Sequence, residues 1–109
     1  MDTAVARSRL RSMLDDLDRS IAILRGETPE RDNSAADAGA GLTAHDRVEA
    51  ALDSLARHRD GVVAALERID AGTYGRCLAC GRPVPEGRLE VRPDAARCIT
   101  CQAKHDRRR

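Results

Sequence analysis

Apolar residues in the first quarter of the chain fall on one stripe of a helix. From about Thr3 to Arg25, the residues Leu10, Leu14, Leu17, Ile21 and Leu24 recur at spacings that alternate between four and three. That is the arithmetic of a heptad seam, with Leu14 and Ile21 at a positions and the other three leucines at d. Gly26 follows as a helix C-cap, and Pro29 bars continuation. The alternation returns from Thr43 to about Ala71, through Val48, Leu52, Leu55, Arg59, Val62, Leu66 and Ile69. Thr43 suits an N-cap, with Asp46 three residues on reaching back as a capping-box acid does, and Gly72 ends the run.

At 1.5 Å per residue each helix would be roughly 35–43 Å long. Two such seams joined by an irregular stretch predict an antiparallel helical hairpin, with Leu24 near Val48, Leu17 near Leu55 and Leu10 near Val62. Arg59 then sits at an a position opposite Leu14. Its alkyl stem is expected to lie along the seam while the guanidinium reaches outward, with Asp18 as partner. Gly61 inside the second helix costs about 1 kcal/mol relative to alanine, and marks a close approach or a bend.

The stretch between the helices, residues 26–42, has no large apolar residue before Leu42 and is rich in small and acidic ones. Glu27, Glu30, Asp32 and Asp37 face one base, Arg31. By composition it is a solvated loop; its functional reading is an acidic tip carried on a long lever.

After Gly72 the periodicity stops and cysteines take over. Cys77-Leu78-Ala79-Cys80 is followed by seventeen residues and then Cys98-Ile99-Thr100-Cys101, which uses all four cysteines of the protein. Two C-x-x-C pairs at this separation are the pattern of a four-thiolate zinc ribbon. A redox dithiol leaves the second pair unexplained, and ferredoxin-type clusters use other spacings. Gly81, directly after the first pair, suits a turn of positive φ whose N–H groups point at sulfur. Four thiolates leave zinc no open coordination position, so the expected role of the one Zn2+ is structural. Pro83, Pro85 and Pro93 leave room for only short strands or a turn around Arg88–Arg92, and a short helix is expected from Cys101 to about Lys104. His105 lies four residues beyond Cys101 but the thiolate set is complete without it; His45 and His58 read as surface residues.

Composition sharpens this picture. Tyr74 is the only aromatic residue among 109, so a large core is excluded and a metal centre must substitute for one. The formal net charge of +1 is unevenly spread: residues 71–109 carry nine bases against four acids. Zinc with four thiolates lowers that +5 to about +3. The N-terminus has no apolar signal-type segment, and no apolar run is long enough to span a membrane, so a cytoplasmic location is expected.

The segment from Ala65 to Gly81, ALERIDAGTYGRCLACG, and the run from Arg88 to Cys101, RLEVRPDAARCITC, resemble the DksA/TraR zinc-finger family over about residues 62–102. The resemblance implies a mostly α fold, a coiled-coil hairpin (1–72) followed by a four-cysteine zinc finger with a short C-terminal helix and basic tail (73–109). It also implies an RNA polymerase-binding transcription regulator that does not bind promoter DNA itself. In that family the hairpin enters the polymerase secondary channel and its tip approaches the catalytic magnesium, often together with the alarmone ppGpp. The family's tip motif, D-x-x-D-x-A, aligns with Ser34-Ala35-Ala36-Asp37-Ala38-Gly39. Asp37 matches the second acid; Ser34 replaces the first and Gly39 the alanine, while Asp32 is off register. Asp37 alone is carried as a partner-binding residue.

Other classes are less well served by the residues. Direct nucleic-acid binding lacks a stacking platform beyond Tyr74, although the Arg107–Arg109 tail supplies charge. An enzyme is not expected, because no nucleophile–base pair stands out. The alternative is a zinc-ribbon and coiled-coil interaction module that has lost polymerase regulation. A monomer is expected.

Overall fold

The computed structural model describes residues 2–26 and 41–108, with only the backbone described at 41–43. Four helices follow in order: α1 (Thr3–Leu24), α2 (Gly41–Ala71), α3 (Glu86–Val91) and α4 (Ile99–Arg107). No strand occurs among the described residues; one isolated antiparallel bridge joins Arg76 and Pro83. The Cα radius of gyration is 17.5 Å. A compact chain of this length would have about 13 Å, so the molecule is elongated.

α1 and α2 form the predicted hairpin. Asp2 caps α1 by accepting a hydrogen bond from the Ala4 N–H at 2.9 Å. Gly26 closes the helix at φ 76°. α2 begins at Gly41, two residues before the expected cap at Thr43, because Leu42 and Thr43 contain nothing that breaks a helix. It ends in a Schellman-type cap: Gly72 has φ 77°, and the Thr73 N–H reaches back to the Arg68 carbonyl at 2.9 Å.

The antiparallel register shows in two ion pairs. Arg7 meets Asp70 at 3.0 Å and Arg59 meets Asp18 at 2.5 Å. Moving eleven residues forward on α1 thus moves the partner eleven residues back on α2. The Arg59–Asp18 pair is the one expected from the seam, and Asp18 raises the arginine's pKa by its hydrogen bond first and by its charge second. Both side chains remain largely exposed, so the pair fixes register more than it adds stability.

Packing along the seam is graded. Leu10, Leu17, Val62 and Ile69 are buried in one cluster, with Leu14, Leu55 and Leu66 partly buried against it. Towards the far end, Ile21, Leu24, Val48 and Leu52 are only half-buried, since two helices alone cannot enclose a seam. Ala6 and Ala65 are fully buried, although neither belongs to the seam pattern. Both belong to the cluster at the base of the arm, against which Tyr74 packs.

The base joins a second cluster built from Cys77, Val84, Leu89 and Ala95. Tyr74 packs against both clusters, and its hydroxyl donates to the Pro93 carbonyl at 2.8 Å. Burial raises the Tyr74 pKa, with Arg68 opposing. Burial is also the largest influence on Arg68, lowering its pKa while Tyr74 and Asp94 pull the other way. Asp94, whose side chain is 8% exposed, lies 3.5 Å from His58 Nε2 on α2 and 3.6 Å from Arg92. His58 is therefore a surface residue with a junction contact.

Gly61 faces Asp94: a Cβ there would stand 3.8 Å from Asp94 Oδ2. That is ordinary contact, so Gly61→Ala is expected to fit and to stabilise α2 by about 0.5–1 kcal/mol through helix propensity. Gly61→Leu is expected to displace Asp94 and lower the melting temperature. Thermal melts of the two variants check this, and a destabilised alanine variant would refute it.

Candidate metal centre

The first pair of cysteines sits on a tight reversal of the chain. Cys77 N–H bonds to the Arg82 carbonyl at 2.9 Å and Gly81 N–H to the Cys77 carbonyl at 3.0 Å. Gly81 has φ 74°, the left-handed conformation that its place after the pair predicted. Around this knuckle, Val84 N–H returns to the Gly75 carbonyl at 2.7 Å. The loop between the pairs departs from expectation: where a short strand or turn was anticipated around 88–92, α3 forms. Pro85 precedes its first residue and so opens the helix without losing an internal hydrogen bond. Leu89 on α3 is buried under the knuckle cluster.

The second pair rides on the start of α4. Cys98 is the residue before its first turn and Cys101 lies within that turn. Leu78 N–H bonds to the Ala96 carbonyl at 2.8 Å and ties the two limbs together. α4 runs on to Arg107, three residues beyond the expected end, because Gln102, Ala103 and Lys104 lead into residues without a breaker.

All four sulfurs, of Cys77, Cys80, Cys98 and Cys101, lie within 4.8 Å of one another. A tetrahedron with Zn–S bonds near 2.3 Å needs sulfurs about 3.8 Å apart, so a slight contraction would close the set around one ion. Without a metal the sulfurs share protons. Hydrogen bonding from the Cys98 backbone chiefly lowers the Cys77 pKa to about 6, and the Cys98 side chain chiefly raises that of Cys101 to about 12. A divalent cation resolves this conflict by stabilising thiolate at every position, so the donor set fits zinc.

It follows that protons and zinc compete. At neutral pH the Cys101 proton must be displaced on binding, and as pH falls towards 6 the Cys77 thiolate is lost as well. Zinc affinity is therefore expected to fall on acidification between about pH 8 and 6. Competition with a chromophoric chelator across that range checks it; a flat profile would contradict the coupling.

Among the described residues no histidine joins the sulfur cluster. His105 lines a cavity with Cys80 and Cys101 without joining the donor set. Asp37, together with Asp32, Ser34 and Gly39, lies outside the described residues. The contact of Asp94 with His58 was missed in the sequence, where the only hint was Gly61 in a helix.

A two-helix arm rooted in a four-cysteine centre defines the class: a C4-type zinc finger preceded by a coiled-coil hairpin. The family described as prokaryotic dksA/traR C4-type zinc finger matches residues 72–107. The RNA polymerase-binding transcription factor DksA of Caulobacter vibrioides is 43% identical over 44 residues, 40% of this chain and 31% of that protein. The chain thus spans about a third of that relative's length. An uncharacterized protein of Haemophilus influenzae is 40% identical over 60 residues, covering 53% of this chain and 80% of the relative. The solved structure of transcription factor DksA2 from Pseudomonas aeruginosa superposes with a TM-score of 0.80 at 28% identity, covering 97% of this chain and 84% of that one. Residues 72–107 thus form a zinc finger of the DksA/TraR family on a chain with the DksA2 fold, and its zinc is structural.

Proposed function

We propose that this protein is an RNA polymerase-binding transcriptional regulator, working through the secondary channel without contacting promoter DNA itself. The observation that carries the reading is the extent of the likeness to DksA2: it covers 97% of the chain, and so includes the arm as well as the finger. In this reading Cys77, Cys80, Cys98 and Cys101 hold zinc and give the arm a fixed root. The arm delivers the 26–42 segment, and Asp37 acts there electrostatically on the polymerase's basic groups or metal site. The protein is not an enzyme: the zinc has no open position, and its role is mechanical.

Co-purification with core RNA polymerase tests the binding, and transcription in vitro tests the consequence. Asp37→Asn is expected to retain polymerase binding while its effect on a sensitive promoter is weakened. If Asp37→Asn behaves as wild type while Cys98→Ser is inactive, the tip mechanism is wrong. Failure to bind core polymerase would sink the assignment. The replacement of two motif positions by Ser34 and Gly39 favours a second reading, an interaction module that has lost regulation. Polymerase binding with no change in transcription by the wild-type protein would select it.

A further inference from the structure

Beside the sulfur cluster a cavity of about 440 Å³ is lined by Cys80 and Cys101 together with Arg97, Lys104, His105 and Arg108. Arg97 comes from the stretch before Cys98, and Lys104 and His105 from α4, with Arg108 at its C-cap. Among the described residues no acid shares this lining, and Arg97, Lys104 and Arg108 make no ion pair. Lys104 and Arg108 stand four residues apart at the end of α4, a like-charge spacing that destabilises a helix by itself. The helix C-terminus offsets part of that repulsion. Asp94 and Asp106 border Arg97 in a neighbouring cavity but do not supply negative charge to this one.

The metal centre does. Four thiolates with one Zn2+ carry a net charge of −2, while the three permanent cations carry +3. The balance left over is a single positive charge, too little to favour a separate multivalent anion over the thiolates already in place. Charge arithmetic therefore assigns the cations to the metal centre.

We infer that Arg97, Lys104 and Arg108 form a charge-compensating collar around the zinc–thiolate centre, tightening its hold on zinc and restraining the sulfurs from reacting with electrophiles. The inference rests on zinc binding by the four cysteines and is independent of polymerase binding. Neighbours of this kind orient and tune metal ligands without touching the ion. Their action is electrostatic, so added salt weakens it.

The test uses the full chain carrying Arg97→Gln, Lys104→Gln and Arg108→Gln together, beside a charge-keeping variant with Arg97→Lys and Arg108→Lys. Zinc affinity is measured by chelator competition at low and high salt, and thiol reactivity of the zinc-loaded proteins with uncharged iodoacetamide. The neutral variant is expected to lose roughly tenfold or more in zinc affinity and to be alkylated faster. Its affinity should respond less to salt than the wild type's, and the lysine variant should match wild type. Equal zinc affinity and salt response in the neutral variant and wild type would overturn the collar. So would a lysine variant as impaired as the neutral one, because shape and not charge would then be responsible. Saturable binding of inorganic phosphate, lost in the neutral variant at unchanged zinc affinity, would also overturn it and make the cavity an oxyanion site.

Discussion

Removing the metal, by chelation or by Cys98→Ser, is expected to unfold residues 72–107 while the α1–α2 arm keeps most of its helix. The cluster formed by Cys77, Val84, Leu89 and Ala95 contains only three residues besides the metal ligand. Burying three small or medium aliphatic groups contributes a few kcal/mol at about 25 cal/mol per Å², less than the entropy of ordering some thirty-six residues. Structural zinc in finger peptides contributes about 10–16 kcal/mol near pH 7, several times what this small cluster supplies. The arm does not depend on the ion in the same way, because Leu10, Val62, Ala6 and Ala65 are buried between its own helices. Hydrogen exchange with and without chelator measures this directly. Loss of protection should begin in α3, α4 and the knuckle, with the α1–α2 amides following only near Tyr74. Equal protection of the finger in both samples would show that zinc does not hold it.

Leu10→Ala is expected to be the most damaging single substitution in the arm. Leu10 is fully buried, and so is Val62 in the same cluster. Truncating a buried leucine removes its transfer free energy and leaves a void that a two-helix base can only partly close. The loss should be about 3 kcal/mol. Leu24→Ala makes the control: Leu24 obeys the same heptad rule but is only half-buried, so its loss should be less than half as large. Urea melts of the zinc-loaded proteins compare the two. If both cost the same, the packing gradient along the arm is not energetic. Because Tyr74 packs against both clusters, Leu10→Ala should also loosen the root that aims the arm. The Leu10→Ala protein should then regulate transcription less well than Leu24→Ala at equal zinc content, in the reading proposed above.

Much of this was legible before any coordinates. The four-and-three alternation gave both helices and their antiparallel pairing, and it picked out Arg59 with Asp18 as partners, because heptad periodicity is a property of one chain's own spacing. The cysteine pairs likewise pointed to one four-thiolate site, and the fold brings their sulfurs within 4.8 Å of one another. The tertiary structure decided what depends on residues far apart in sequence. Ala6 and Ala65 look like filler in the heptad, yet they are fully buried in the cluster against which Tyr74 packs. The prolines before and after residues 86–91 read as obstacles to order, whereas Pro85 starts α3 and Pro93 is fully buried at the junction. Asp94 reaches His58 across thirty-six positions only because the finger lies against α2. Local spacing carries periodicity and ligand count; which distant charges meet, and how deeply a small side chain is buried, are settled only when the two clusters dock.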